Sequence, residues 1–358
     1  MTAKSPRYNG WVDKKEWRPY LIVGIFFLCG FMLFAAIFAP GFIRLLSARP
    51  TSTPDLVGTF EALLPTLTPS PESISSTALP PSDEPKGQIV FTCQIYKDQS
   101  SEQICIINAD GSGFKRLTTE NGTRHFYPSL SPDGKSVVYS GFNLQSQHFE
   151  IYELDLATDT ARNLTYAVGD LNAPEISPDG KTIVFTRYYN DTDNPTSWLM
   201  DRDGGNFREV SGINAWDPTW SPDEKQILFA SDINATDQLY VSNLDGTGRQ
   251  RITSLPALRG RSDWSPDGKF IVTYSGKPWD REVYIMDADG SHLRQLTPGG
   301  NSQGPSFSPD GKWVAFTAYF DHPDDIHGCE IYIIRLDGTD LRRLTNNNYC
   351  DYQPRWGP

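Results

Sequence analysis

Motifs that mark common enzyme classes are scarce in this sequence. It contains no His-Glu-x-x-His zinc motif and no glycine-rich phosphate loop. The Gly-x-Ser-x-Gly pattern occurs once, at residues 300–304, but it stands just before a predicted short strand at Pro305, and a nucleophile elbow needs a strand before the serine and a helix after it. The sequence therefore supports neither serine hydrolysis, nor zinc-dependent proteolysis, nor nucleotide chemistry. We therefore predict no cofactor and assign no catalytic residue.

Histidine is also scarce, with 5 in 358 residues. Two of them, His322 and His327, lie in an acidic loop with Asp321, Asp324 and Asp325. Imidazole and carboxylate groups suit divalent metals, but this spacing matches no standard metal site. A solvated loop is the favoured interpretation, and no metal site is predicted.

A net positive charge is found only in the first 49 residues, which carry +5, whereas the remaining residues carry −17. An acidic surface repels phosphate groups, so no nucleic-acid partner is expected. A cationic or neutral partner is easier to accommodate, because its charge complements that of the surface.

Charged residues are absent from the 24 positions between Tyr20 and Ile43. A helix of that length crosses a hydrocarbon core of about 30 Å. Five Lys or Arg residues precede the stretch, so the positive-inside rule places residues 1–19 in the cytoplasm and the chain after about residue 44 outside. We predict a single-pass membrane protein with an uncleaved anchor. A cleaved signal peptide is the alternative, and it would export the same domain.

The segment after the predicted anchor, residues 44–87, is rich in Pro, Ser and Thr and has no sustained periodicity. Such a composition is typical of a disordered spacer. The sequence thus divides into a cytoplasmic tail (1–19), a transmembrane helix (20–43), a linker (44–87) and a folded extracytoplasmic domain (88–358).

The folded domain is built from an internal repeat. Ser-Pro-Asp recurs at residues 131, 177, 221, 265 and 308, with spacings of 43 to 46 residues. In each copy one short strand precedes the Ser-Pro-Asp turn and three follow it. Four such strands make a small sheet that can bury both faces only against neighbouring copies, and a closed ring also removes most open edges.

The first copy is incomplete and the last segment supplies what it lacks. Gln88–Thr92 matches a second strand, and the third and fourth strands of that copy follow it. The missing first strand corresponds to Tyr352–Pro358. We therefore predict an all-β domain, a six-bladed β-propeller closed by pairing of its N- and C-terminal strands, and preceded by one transmembrane helix.

The Ser-Pro-Asp-Gly-Lys turn followed by an apolar strand resembles the propeller repeat of the TolB family. The resemblance covers residues 88–358 and implies a six-bladed propeller of the cell envelope that binds other proteins. TolB itself carries an α/β domain where this chain has the predicted helix and linker, so the resemblance does not carry over TolB's own partners. Propellers host many activities, and the repeat specifies fold more closely than function.

Four cysteines follow the predicted anchor, on the side where disulfides form: Cys93, Cys105, Cys329 and Cys350. Four cysteines allow three connectivities. We favour 93–105 with 329–350, because the first pair lies in adjacent strands and the second would tether the closing strand. Four free thiols are the alternative.

The channel mouth is the candidate binding face, because the residues leading into the innermost strands differ between blades while the strands stay alike. These residues are His125, Tyr127, Asn172, Trp216, Asp217, Arg261, Gln303 and Tyr352. Aromatic and polar side chains around a concave surface suit a peptide or ligand, and the alternative is that they only plug the channel. Loops on the same face add an acidic rim that favours cationic segments: Asp191, Asp193, Asp232, Asp237 and Asp280.

Three functions are compatible with these patterns. The first is a membrane-anchored scaffold of the cell envelope that binds a protein or peptide, a cationic one being favoured by the acidic rim. The second is an envelope hydrolase or lyase that acts on carbohydrate or peptide through the mouth loops. The third is the sensory ectodomain of a signalling protein. No oligomeric state is predicted.

Overall fold

The computed structural model describes residues 84–95, 102–119, 122–188, 194–211, 214–319 and 328–358. These residues form six sheets, each with four antiparallel strands. Among them there is no helix long and apolar enough to cross a bilayer. The predicted transmembrane helix and nearly all of the predicted linker lie outside the described residues.

The strands are numbered β1 to β24 in chain order. The first half comprises β1 (Gln88–Cys93), β2 (Gln103–Asn108), β3 (Lys115–Arg116), β4 (His125–Leu130), β5 (Ser136–Asn143), β6 (His148–Asp155), β7 (Thr160–Asn163), β8 (Asp170–Ile176), β9 (Thr182–Tyr188), β10 (Pro195–Asp201), β11 (Arg208–Glu209) and β12 (Trp216–Trp220). The second half comprises β13 (Gln226–Ser231), β14 (Gln238–Asn243), β15 (Gln250–Arg251), β16 (Asp263–Trp264), β17 (Phe270–Lys277), β18 (Asp280–Asp287), β19 (Arg294–Gln295), β20 (Gln303–Phe307), β21 (Trp313–Ala318), β22 (Glu330–Arg335), β23 (Arg342–Arg343) and β24 (Asp351–Gly357).

Each sheet is one blade, with its first strand innermost and its fourth strand outermost. Blade 1 has the strand order β24-β1-β2-β3, and blades 2 to 6 each take four consecutive strands, from β4–β7 to β20–β23. The prediction of a six-bladed, all-β propeller is confirmed for the described residues.

The ring closes as predicted, through the pairing of β24 with β1. Ile89 lies opposite Trp356 and Cys93 lies opposite Asp351, in antiparallel register. Blade 1 therefore contains strands from both ends of the domain. Trp313 of blade 6 packs in the same buried cluster as Ile89 and Trp356, so the closing strand also joins the hydrophobic layer between blades 6 and 1.

The Ser-Pro-Asp repeat forms the turn between the first and second strands. In all five copies the serine hydroxyl donates a 2.7 Å hydrogen bond to Oδ1 of the aspartate. The same serine oxygen accepts the backbone N–H of the residue five positions later, at 2.8 to 3.0 Å. A serine and an aspartate at this spacing thus satisfy the turn's backbone locally, which explains why the motif recurs.

The outermost strand has two residues in every blade except blade 2, where β7 has four. In blade 6 the repeat pattern predicts a fourth strand over residues 341–345, whereas the structure pairs only Arg342 and Arg343. In blade 1 only Lys115 and Arg116 pair, and both are exposed. Short edge strands with charged side chains discourage the addition of a further chain.

Two disulfides are present, and they have the favoured connectivity. Cys93 at the end of β1 is joined to Cys105 in β2. Cys329, just before β22, is joined to Cys350, just before β24. All four sulfurs belong to buried residues. The second disulfide fastens the start of the closing strand to blade 6.

Candidate functional site

The two ends of the propeller channel differ in what surrounds them. Because neighbouring strands are antiparallel, the loops between second and third strands open on the same face as the links that lead into each first strand. We call this the mouth face. The Ser-Pro-Asp turns open on the opposite face, which we call the far face.

The predicted mouth residues lie within the innermost strands, and not in the loops before them as expected. Arg261 is the exception, two residues before β16. The other seven are strand residues: His125, Tyr127, Asn172, Trp216, Asp217, Gln303 and Tyr352. In five blades the innermost strand pairs with the second strand on both sides of a bulge. The paired residues before the bulge extend the innermost strand toward the mouth, so it begins earlier than its apolar pattern suggests.

One residue of every blade lies in the left-handed backbone region, with φ between 22° and 62°, and in five blades this residue lies at the bulge. We call these six residues the mouth ring: Tyr127, Ala173, Asp217, Arg261, Gly304 and Gln353. Gln353 connects blades 1 and 2, since its side-chain oxygen accepts hydrogen bonds from the Thr92 hydroxyl at 3.0 Å and from the Tyr127 backbone N–H at 3.1 Å. Left-handed backbone is uncommon for any residue other than glycine, and Gly304 is the one glycine among the six.

Two positions further along, away from the mouth, a second ring faces the channel axis. We call it the channel ring: Ser129, Glu175, Thr219, Asp263, Ser306 and Arg355. Arg355 of blade 1 contacts Glu175 of blade 3 at 2.8 Å and Asp263 of blade 5 at 3.1 Å. The hydroxyls of the intervening blades complete the pairing, because Thr219 donates to Glu175 at 2.8 Å and Ser306 donates to Asp263 at 2.9 Å.

The ion triad of Arg355, Glu175 and Asp263 joins three alternate blades across the axis. Burial acts to lower the pKa of the Arg355 guanidinium, but the two carboxylates outweigh burial and raise that pKa above its usual value. Arg355 therefore stays charged. The triad fills the channel with paired charges, which agrees with the plugged alternative for this depth of the channel.

Arg261 lies in the ring nearer the mouth and is paired differently. Its guanidinium carbon lies 5.3 Å from the centroid of the Tyr127 ring. Its Nη2 lies 3.3 Å from the carbonyl oxygen of Gln353 and 3.5 Å from that of Pro128. None of the ion pairs among the described residues includes Arg261, unlike Arg355. Burial, followed by repulsion from Arg355, lowers the pKa of Arg261 to about 10.

Asp217 is the neighbour of Arg261 in the mouth ring. Its Oδ2 accepts the Arg261 backbone N–H at 3.0 Å, and burial raises its pKa above the usual value. Both residues line a cleft with Ala173, whose short side chain leaves room there. The cleft is partly open to solvent and is small, with room for about one water-sized group, far below the roughly 300–1,000 Å³ of drug-sized ligand sites. It suits a small polar end group of a larger partner, and not a whole small molecule.

Other predicted mouth residues are occupied by contacts within the protein. His125 is buried, with Nδ1 3.0 Å from both Gln103 Oε1 and Thr118 Oγ1. Tyr352 donates its hydroxyl to Glu102 at 3.0 Å, and burial raises the pKa of that tyrosine. The His125 contacts join blade 2 to blade 1, whereas the Tyr352 contact lies within blade 1. Neither side chain lines the cleft.

Three further predicted residues lie elsewhere around the channel. The Trp216 indole N–H donates to the carbonyl of Arg259 at 3.3 Å, and Gln303 Oε1 accepts from Arg281 at 2.9 Å. Asn172 is buried, and its Nδ2 has no hydrogen-bond partner among the described residues. Of the eight predicted residues, the structure thus brings Tyr127, Asp217 and Arg261 together.

Part of the predicted acidic rim is described. Asp280 is exposed at the start of β18, and Asp232 accepts the side-chain N–H of Asn214 at 2.9 Å. Two of the predicted rim residues, Asp191 and Asp193, lie outside the described residues. The acidic loop with His322 and His327 lies outside them as well. The charge of the rim is therefore carried here by its β13–β14 and β17–β18 loops.

Six antiparallel blades around a central channel, closed by a strand from the opposite end of the domain, define a β-propeller of the six-bladed class. The model of the TolB beta propeller domain matches residues 86–327. The chain belongs to the TolB beta propeller domain family.

Solved structures agree with this assignment. TolB from Acinetobacter baumannii is 25% identical, with a TM-score of 0.65 over 76% of this chain and 67% of that chain. The putative TolB from Agrobacterium tumefaciens is 20% identical, with a TM-score of 0.58 over 76% of this chain and 99% of that chain, a likeness of fold alone. An uncharacterized protein of Agrobacterium fabrum is 34% identical over 65 residues, and the match spans 20% of that relative.

Proposed function

We propose that this protein is a binding scaffold that captures a protein or peptide at the mouth face of its propeller. The observation that carries the proposal is the mouth ring, where five of six residues adopt left-handed backbone without being glycine. Gly304 shows that a glycine is sufficient for this backbone conformation, so the conformation does not require the five larger side chains. Residues held in this region cost of the order of 1 kcal/mol or more each, and such residues cluster at ligand sites.

The two faces also differ in how strictly the blades repeat. The far face carries the same Ser-Pro-Asp turn in five blades, whereas the mouth ring holds six different residue types. A purely structural role would be served by repetition on both faces. Variation confined to one face, on a rigid scaffold, is what recognition of an asymmetric partner needs.

Exposed apolar side chains on the mouth face offer contact surface around the cleft. They are Leu144, Tyr166, Ile233 and Trp279, which are 37% to 62% exposed. Trp279 has left-handed backbone, with φ 68°, and its ring packs against that of Tyr319, with 5.5 Å between the ring centroids. An aromatic side chain held in one orientation is a common centre of binding energy at interfaces. Asp280 follows it directly and would favour a basic residue of the partner.

We further propose that the propeller lies outside the membrane in the cell envelope, with residues 20–43 as its anchor and 1–19 in the cytoplasm. The uncharged 24-residue stretch and its basic flank support this location. The two buried disulfides support it as well, since such bonds persist in oxidising compartments.

A reporter fused after Pro358 tests the location. We expect alkaline phosphatase at that position to be active in bacterial cells, because the enzyme folds only after export. As a control, the same reporter placed directly after residue 19 should be inactive. A second fusion carries green fluorescent protein at the C-terminus. If that fusion fluoresces and the phosphatase fusion is inactive, the propeller lies in the cytoplasm and the proposal is contradicted.

Binding at the mouth is tested with the full-length protein in detergent and a displayed library of random peptides. We expect enriched peptides to lose about tenfold in affinity with Trp279→Ala, equivalent to about 1.4 kcal/mol. Phe114→Ala is the matched control, because Phe114 is 55% exposed on the far face and Trp279 is 48% exposed on the mouth face. Equal losses in both variants, or no enrichment, would argue against mouth binding. Cleavage of the captured peptides would support the envelope enzyme instead.

A further inference from the structure

Arg261 is a buried cation whose hydrogen-bonding capacity is only partly used. The residue is 5% exposed, and its Nε has no hydrogen-bond partner among the described residues. Its two carbonyl contacts, at 3.3 and 3.5 Å, are longer than the usual 2.7–3.2 Å. Buried charges in proteins are ordinarily paired. The guanidinium therefore faces the cleft with donors that an incoming anion can accept.

The carboxylates of the neighbourhood do not fill this role. Glu175 and Asp263 pair with Arg355 in the channel ring. Asp217 accepts the backbone N–H of Arg261, and no ion pair among the described residues includes its carboxylate. Four charged residues therefore line the cleft beside the small side chain of Ala173. Glu175 and Arg355 pair with each other, whereas Arg261 and Asp217 belong to no ion pair among the described residues.

We propose that this cleft binds the C-terminal carboxylate of a peptide, with Arg261 as its partner. The inference rests on the proposed mouth-binding function and names its ligand chemistry. A guanidinium holds a carboxylate through two parallel hydrogen bonds. The C-terminal residue also carries a backbone N–H one carbon away from that carboxylate, which Asp217 can accept. An acidic side chain brings the carboxylate without that N–H.

The acidic rim sets the preference for the residues that precede the terminus. Asp280 is exposed on the mouth face, and Asp232 is half-buried there. Both would attract lysine or arginine side chains of a bound peptide. The ligand we infer is therefore a basic peptide segment that ends in a free carboxylate.

The test measures binding of fluorescein-labelled Lys-Lys-Ala-Ala-Ala peptides to the full-length protein in detergent by fluorescence polarisation. One peptide ends in a free carboxylate, one ends in an amide, and one ends in an amide with glutamate as the last residue. We expect the free acid to bind at least about tenfold more tightly than either amide. Unlabelled free alanine should not compete at concentrations where the unlabelled acid peptide does.

Two variants and a control connect this preference to the cleft. Arg261→Gln should reduce the ratio of acid to amide affinity to about one. Ala173→Tyr should weaken the acid peptide by filling the cleft while keeping Arg261, and Tyr127 shows that the fold accepts a tyrosine at this ring position in the adjacent blade. Arg251→Gln, on an exposed outer strand, should change neither affinity.

Each outcome bears on a specific claim. Equal binding of acid and amide, unchanged by Arg261→Gln, would overturn the carboxylate site while leaving peptide binding at the mouth intact. Tight binding of the glutamate amide would show that an acidic side chain is the ligand and overturn the choice of a terminus. Competition by free alanine would replace the peptide with an amino acid. Absence of binding by every peptide, together with the failure of the display experiment, would overturn the proposed function itself.

Discussion

Removal of residues 349–358 is expected to lower the melting temperature of the propeller by more than about 10 °C, or to abolish cooperative unfolding. The deletion takes away β24 and leaves β1 with an unpaired edge along Ile89 and its neighbours. It also uncovers the buried layer that Trp356 shares with Trp313. A loss of 1 kcal/mol shifts the melting temperature of a domain of 150–250 residues by roughly 2–4 °C, and several such losses combine here.

Circular dichroism at increasing temperature measures this effect. Because the deletion also removes Cys350, the truncated protein should carry Cys329→Ala, so that no free thiol confuses the comparison. Deletion of Pro358 alone, which is exposed, is the control and should leave the transition unchanged. A truncated protein with the original melting temperature would show that ring closure contributes little to stability.

Replacement of Arg355 by methionine is the second large effect that we expect. It leaves Glu175 and Asp263 in the channel without their common cation. Breaking a buried ion pair by removing one partner destabilises a protein by about 3–5 kcal/mol, because the remaining charge stays desolvated. Guanidinium unfolding at pH 8 measures the loss, and Arg116→Met on the exposed strand β3 is the matched control.

A triple variant separates the charge effect from lost packing. Arg355→Met combined with Glu175→Gln and Asp263→Asn removes all three charges, and it should regain most of the lost free energy of unfolding. The single variant should also recover as the pH falls, since burial already raises the pKa of Glu175 and protonation removes its unpaired charge. If the triple variant is no more stable than the single one, unpaired charge is not the cause.

Much of the architecture follows from local patterns in the sequence. The Ser-Pro-Asp turns recur because each satisfies its own backbone, and their spacing gives the size of a blade. The split first blade can be recognised because the copy that begins at residue 88 lacks a first strand, and Tyr352–Pro358 resembles such a strand. Adjacent strands also bring Cys93 beside Cys105 without any long-range information.

The channel chemistry is harder to derive from the sequence. A bulge in the innermost strands shifts the two-residue alternation of side chains, so the residues that face the axis differ from those that a regular strand would present. The triad joins residues 175, 263 and 355, which come from three separate blades. Only the closed ring brings them together. The prediction therefore included Arg261 and Asp217 but missed Arg355, Glu175 and Asp263.

The pairing of Gln88 with Gly357 places both ends of the propeller side by side on the far face. Pro358 lies next to the Ser-Pro-Asp turn of blade 2 at Gly134, which is part of that same face. A label, affinity tag or sensor-chip linkage attached through the C-terminus consequently holds the domain upright, with its cleft turned toward the solution. The same arrangement makes the domain suited to circular permutation, since a short peptide could join the two ends and new termini could be opened in another turn.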